Sequence, residues 1–198
     1  KTAEKRAHAL EHPIVIDPVG VSGSSYRREK CLELMKIIHP TCIRGNYSEI
    51  QALLHNCGTV TGVDAAEDAL AEAEETDLPE LMKQYAKENQ MILVASGETD
   101  LITDGSCVYR CHNGSPMMAR ITGSGCMSTV MLGAFLSAEN SVESAVACCA
   151  FTGIAGELAA KEMTAQKRGT MTFRNWFIDA VSLMTPEQLE HGTDVDWF

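Results

Sequence analysis

The sequence lacks any run of lysines and arginines, and that absence is the first bound on its function. Its 16 Lys plus Arg stand against 27 Asp plus Glu, a formal net charge of −11. No basic stripe is available to track a nucleic-acid backbone or to seat the chain on an anionic membrane, so neither is an expected partner. No uninterrupted apolar run reaches the length of about 20 residues that a membrane span requires, and nothing at the start resembles a secretory leader. Internal repeats, low-complexity tracts and linkers are missing too, which leaves one compact domain over residues 1–198 as the expected organisation. The chain opens on Lys1, already within a helical pattern and without an initiating Met, and so reads as a piece of a longer protein.

Cysteine is plentiful, but useful cysteine spacing is not. The eight thiols are scattered through apolar segments, without the pattern of a secreted disulfide scaffold or a zinc knuckle. They read as reduced thiols of a cytoplasmic protein. Cys107, Cys111 and His112 alone are close enough to suggest a metal, and a two-stranded turn explains them better, so no structural metal is expected.

With 45% hydrophobic side chains the sequence supports one sizeable core. Short apolar runs alternate with helical periodicity, the pattern of an α/β sheet with helical crossovers. Strands are expected over 14–16, 41–44 and 91–96, with a hairpin pairing 101–103 and 108–111 about Asp104-Gly105. Helices are expected over 2–10, 26–38, 48–54, 65–75, 79–88, 126–137, 142–163 and 173–184, and the tail beyond residue 186 as irregular. Met82, Met117, Met118 and Met131 read as core filler.

The most informative stretch is Ile121-Thr122-Gly123-Ser124-Gly125-Cys126-Met127, which opens into an apolar helix. Glycines admit close approach of a ligand, and a helix's first N–H groups are unpaired, with the positive end of the macrodipole behind them. Gly123, Ser124 and Gly125 therefore read as an anion hole, and Cys126 as the group facing the guest. The alternative is a helix entry that needs glycine only for packing.

Other polar residues fall at the carboxyl ends of the expected strands, where open α/β sheets place their ligands. Asp17 ends one strand, Arg44 and Glu49 follow the next, and Ser96-Gly97-Glu98 follow a third. Asp17 and Glu49 suit a hard cation that keeps its waters, as Mg²⁺ does when it bridges phosphates. Arg44 suits phosphate recognition. Glu49 also completes a capping box from Asn46, and Asp17 before Pro18 also suits a plain turn. Arg44 is equally compatible with a structural ion pair, and Ser96 with a turn hydroxyl.

These segments occur together, in order and at the right separations, in one known family. Asp17-Pro18-Val19-Gly20-Val21, Ile43-Arg44-Gly45-Asn46 with Ser48-Glu49-Ile50, Gly62-Val63-Asp64, Gly97-Glu98 with Asp100, Thr103-Asp104-Gly105 and the cysteine-ended glycine loop resemble hydroxyethylthiazole kinase of thiamine salvage. The resemblance implies a ribokinase-like α/β fold, a layered sheet with helices on both faces. It implies transfer of the ATP γ-phosphoryl group to the primary alcohol of 4-methyl-5-(2-hydroxyethyl)thiazole with Mg²⁺, in a homotrimer with active sites between subunits. By motif position Arg44 and Ser96 contact ATP, Asp17 and Glu49 hold the metal and its waters, Gly123 lines the substrate side and Cys126 faces the reacting hydroxyl. Three departures stand out: Ser96 where the family usually has Thr, Thr61 where it commonly has Lys, and no counterpart to its N-terminal portion. Two other classes fit the glycine loop, namely a different ribokinase-like kinase or repair dehydratase and a non-catalytic nucleotide-binding subunit.

Overall fold

In the computed structural model, residues 2–57 and 78–198 are described; the expected helix over 65–75 and the Gly62-Val63-Asp64 segment lie outside them. After α1 (Thr2–Ala9), the chain runs through β1 (Val15–Ile16), α2 (Ser25–Ile38), β2 (Cys42–Asn46) and α3 (Tyr47–Cys57). It resumes with α4 (Leu78–Asn89), β3 (Ile92–Ser96), β4 (Asp100–Thr103) and β5 (Val108–Cys111). A 3₁₀ turn over Pro116–Arg120 leads to α5 (Ser124–Ala138), α6 (Val142–Ala165), α7 (Thr170–Leu183), α8 (Pro186–Gly192) and β6 (Val195–Trp197).

The strands form one sheet in sequence order, β1 to β6. β1, β2 and β3 are parallel, and β4, β5 and β6 are antiparallel additions to one side. The register sets Arg44 beside Val94 and Asn46 beside Ser96, so the ends of β2 and β3 are level. Period-2 alternation sends successive side chains to opposite faces. Ile43, Leu93, Ala95, Leu101 and Val108 pack with α2, α3 and α4, burying Met35, Ile50, Leu53 and Met82. Cys42, Ile92, Val94, Ile102 and Cys111 pack with α5 and α6, burying Leu132, Leu136 and Ala145. Beyond them α7 stacks on α6 through Phe173 and Phe177, with Met117, Met118 and Met131 filling the edges. Helices thus cover both faces, as the alternating pattern requires.

Three expectations need correction. The tail beyond residue 186 is ordered: Thr185 caps α8 with a reciprocal capping box to Gln188, and β6 then pairs antiparallel with β5. The helix after the glycine loop begins at Ser124, two residues earlier than its apolar pattern, because small polar residues form its first turn. α6 is, by length and composition, apolar enough to cross a membrane, with mean hydropathy 1.3 over its most apolar window. Its Cys148, Ala150 and Ala155 are instead buried against the sheet and α7, which accounts for the apolar character.

Candidate active site

The site begins with the junction of β2 and α3. Asn46 ends the strand, and its side-chain oxygen accepts the Glu49 N–H at 2.9 Å while Glu49 Oε2 accepts the Asn46 N–H at 3.0 Å. This is the reciprocal capping that the sequence spacing allows. The other carboxylate oxygen, Oε1, accepts the Gly20 N–H at 2.8 Å, so Glu49 also fastens the turn that follows β1. Gly45 makes this junction possible: a Cβ there would sit 3.1 Å from Pro18 Cγ and 3.2 Å from Glu49 Cβ. The Ser96 hydroxyl donates to the Gly45 carbonyl at 3.2 Å, tying the end of β3 to the same corner.

The first turn of α5 comes to this corner from the other face of the sheet. Gly123 precedes the helix at φ 97°, a left-handed conformation that favours glycine, and turns the chain into the first helical turn, whose N–H groups lack partners within the helix. Ser124 Oγ donates back to the Met118 carbonyl at 2.8 Å, which commits its hydroxyl to the loop. Arg44 Nη1 donates to the Gly125 carbonyl at 3.2 Å. One turn on, Thr129 Oγ1 donates to Asp17 Oδ2 at 2.7 Å. Asp17 and Arg44 are therefore both bonded to the start of α5, and Glu49 is tied to the turn that follows Asp17 through the Gly20 N–H. Cys126, next to Gly125, is exposed on that turn rather than sealed in the core.

Of the residues read from the sequence, Asp17 and Arg44 are bonded to α5, Glu49 and Ser96 to the corner beside it, and Gly123, Ser124, Gly125 and Cys126 lie along the entry to that helix. Thr129 was missed, and Asp100 was quoted only within a motif and given no role. Asp100 begins β4, accepts the Gly97 N–H at 3.0 Å, and has its carboxyl pushed up by burial, against the opposing pull of that N–H and of Arg44. It holds the loop after β3 in place and adds negative charge near Arg44.

The donor set limits the cation. Among the described residues no three His, Cys, Asp or Glu side chains gather as a metal cage. Asp17 has one oxygen engaged by Thr129 and Glu49 has both engaged by amides, so each retains only lone pairs. Two such carboxylates fit a hard ion that keeps waters and takes phosphate oxygens, as Mg²⁺ does. A cavity of about 650 Å³, lined by Thr41, Lys83, Lys87, Ile92 and Ser141 among others, lies at the opposite end of the strands and belongs to none of this.

Residues 1–187 match the hydroxyethylthiazole kinase family. The hydroxyethylthiazole kinase of Clostridium acetobutylicum is 35% identical over 191 residues, covering 95% of this chain and 70% of that protein. Hydroxyethylthiazole kinase 1 of Methanosphaera stadtmanae is 38% identical over 189 residues, covering 92% and 66% respectively. The solved structure of the hydroxyethylthiazole kinase protein from Pyrococcus horikoshii OT3 has a TM-score of 0.80 at 26% identity, covering 100% of this chain and 70% of that one. The chain thus spans about two thirds of the length of the relatives it matches. Similarity over almost all of its sequence, together with the ribokinase-like α/β fold, shows that the chain belongs to the hydroxyethylthiazole kinase family.

Proposed function

We propose that this chain transfers the γ-phosphoryl group of ATP to the primary alcohol of 4-methyl-5-(2-hydroxyethyl)thiazole, a salvage step toward thiamine. The carrying observation is the hydrogen-bonded convergence of Asp17 and Arg44 on the first two turns of α5, beside an exposed Cys126. Arg44 and Ser96 bind the nucleotide, and Asp17 and Glu49 hold Mg²⁺ and its waters. Mg²⁺ held there would supply charge neutralisation for the phosphates. The alcohol oxygen forms a bond to the γ-phosphorus as the bond to ADP breaks. The amides of Gly123, Ser124 and Gly125 meet the charge on the transferring group.

Cys126 positions the alcohol and accepts its proton late. A helix N-terminus favours the thiolate and a neighbouring polyphosphate disfavours it. Phosphoryl transfer through a loose transition state depends on positioning and charge more than on a strong base. The working assembly is proposed to be a cytoplasmic homotrimer with sites between subunits.

The test is turnover of Cys126→Ala and Cys126→Asp with Mg-ATP and the thiazole alcohol. Alanine is expected to lower kcat by at most about 10²–10⁴-fold, the range of acid–base assistance. A larger loss makes the thiol the principal catalytic group. Aspartate, the base used elsewhere in the ribokinase-like superfamily, is expected to retain turnover. A dead aspartate variant with intact nucleotide binding would contradict the geometry, and wild-type nucleotide binding without turnover of any alcohol would select a non-catalytic subunit.

A further inference from the structure

Hydroxyls inside helices commonly donate to the carbonyl four residues back. Ser128, Ser137, Thr152 and Thr164 all do so here, at 2.9, 2.7, 2.7 and 2.8 Å. Thr129 differs. Its contact to the Gly125 carbonyl is 3.1 Å, and its shorter bond, 2.7 Å, goes across to Asp17 Oδ2. A hydroxyl has one proton, so the shorter, charge-assisted bond takes it and the helical contact is secondary. The Gly125 carbonyl receives Arg44 Nη1 as well. Two separate bonds therefore tie the ends of β1 and β2 to the start of α5: Thr129 to Asp17, and Arg44 to the carbonyl of the peptide unit that precedes Cys126.

We propose that Thr129 is a positioning residue whose hydroxyl clamps Asp17 to α5, one turn on from Cys126, and so sets the separation between the metal-side carboxylate and the alcohol-side thiol. Holding Asp17 Oδ2 leaves Oδ1 directed by the clamp rather than by a free rotor. Without the hydroxyl, Asp17 keeps its charge but loses its fixed orientation. This inference rests on the reading of Asp17 as a metal-side residue of a kinase.

Thr129→Val removes the donor at nearly constant shape, and Thr129→Ser restores it. Two readouts decide: kcat and KM for the thiazole alcohol, and the Mg²⁺ concentration at which ATP half-maximally raises the melting temperature. Valine is expected to lower kcat about tenfold or more while KM moves less than about threefold, and to raise the Mg²⁺ half-point about tenfold, with serine recovering most of both. Unchanged kcat and Mg²⁺ half-point in valine, or equal losses in valine and serine, overturn the clamp. A purely structural Thr129 lowers the ligand-free melting temperature alone, which also overturns it. If the wild-type chain is stabilised by Mg-ATP but turns over no alcohol, the kinase reading fails and the Mg²⁺ half-point still decides Thr129. If Mg-ATP gives no stabilisation at all, both fail.

Discussion

Asp100, like Glu49, is a carboxylate set against a backbone N–H group. Burial pushes the Asp100 carboxyl above its ordinary value, and the Gly97 N–H and the nearby Arg44 charge offset this only in part. In the window between the unfolded and the raised folded value, the native state binds more protons than the unfolded one. Asp100 therefore contributes stability below its unfolded value, and that contribution is lost as pH rises through the folded value. Asp100→Asn keeps an oxygen to accept the Gly97 N–H and removes the titration. Melting profiles of the two proteins from pH 3 to 8 are expected to diverge, with Asn gaining relative to wild type as pH rises. Parallel profiles would mean that Asp100 titrates alike in both states. Glu49 was legible in advance because its cap lies only three residues away at Asn46. Thr129 was not, because its partner Asp17 is 112 residues distant and nothing in the local pattern links them.

Elements meet at this site through glycines used for two different reasons. Gly123 has nothing within 4 Å of a would-be Cβ, and its requirement is conformational, the φ of 97° that turns the loop into α5. Gly45 has ordinary strand geometry and a crowded surround, where an added methyl meets Pro18 on one side and Glu49 on the other, at 3.1 to 3.3 Å. Gly45→Ala is expected to wedge the β1 turn away from α3 and to cost about 1–3 kcal/mol, the usual penalty of overpacking. Urea unfolding should show a lower midpoint at unchanged slope, since the surface exposed on unfolding stays the same. An unshifted midpoint would mean that the corner yields freely and that Glu49 does not hold it tightly. The parallel strands and both long helices were legible because apolar residues fill most of their length. α8 and β6 were not: β6 is three residues long, and its order comes from β5, through the ladder and the Arg110 and His112 bonds to Asp196 at 2.6 and 3.1 Å.

At the scale of the whole molecule, the thiols form a graded series that reports both the site and the fold. Cys126 is exposed and Cys31 and Cys107 are half-buried, whereas Cys42 and Cys111 of the sheet and Cys148 and Cys149 of α6 lie in the core between them. None of these seven forms a disulfide. Burial pushes the Cys148 thiol up to about 11 and Cys111 up to about 12, and raises Cys42 and Cys149 as well. Alkylation proceeds through the thiolate, so these four are protected twice, by lack of access and by protonation. Iodoacetamide at pH 8, followed by peptide mass spectrometry, is expected to modify Cys126 early and the four core thiols late, at a common rate that urea accelerates. Mg-ATP with the thiazole alcohol is expected to slow Cys126 selectively, while a slowing of the core thiols would track the added stability of the bound state. Core labelling as fast as that of Cys126 would show that the two helical layers do not close over the sheet in this chain, and Cys126 labelling indifferent to both ligands would place the reacting hydroxyl elsewhere.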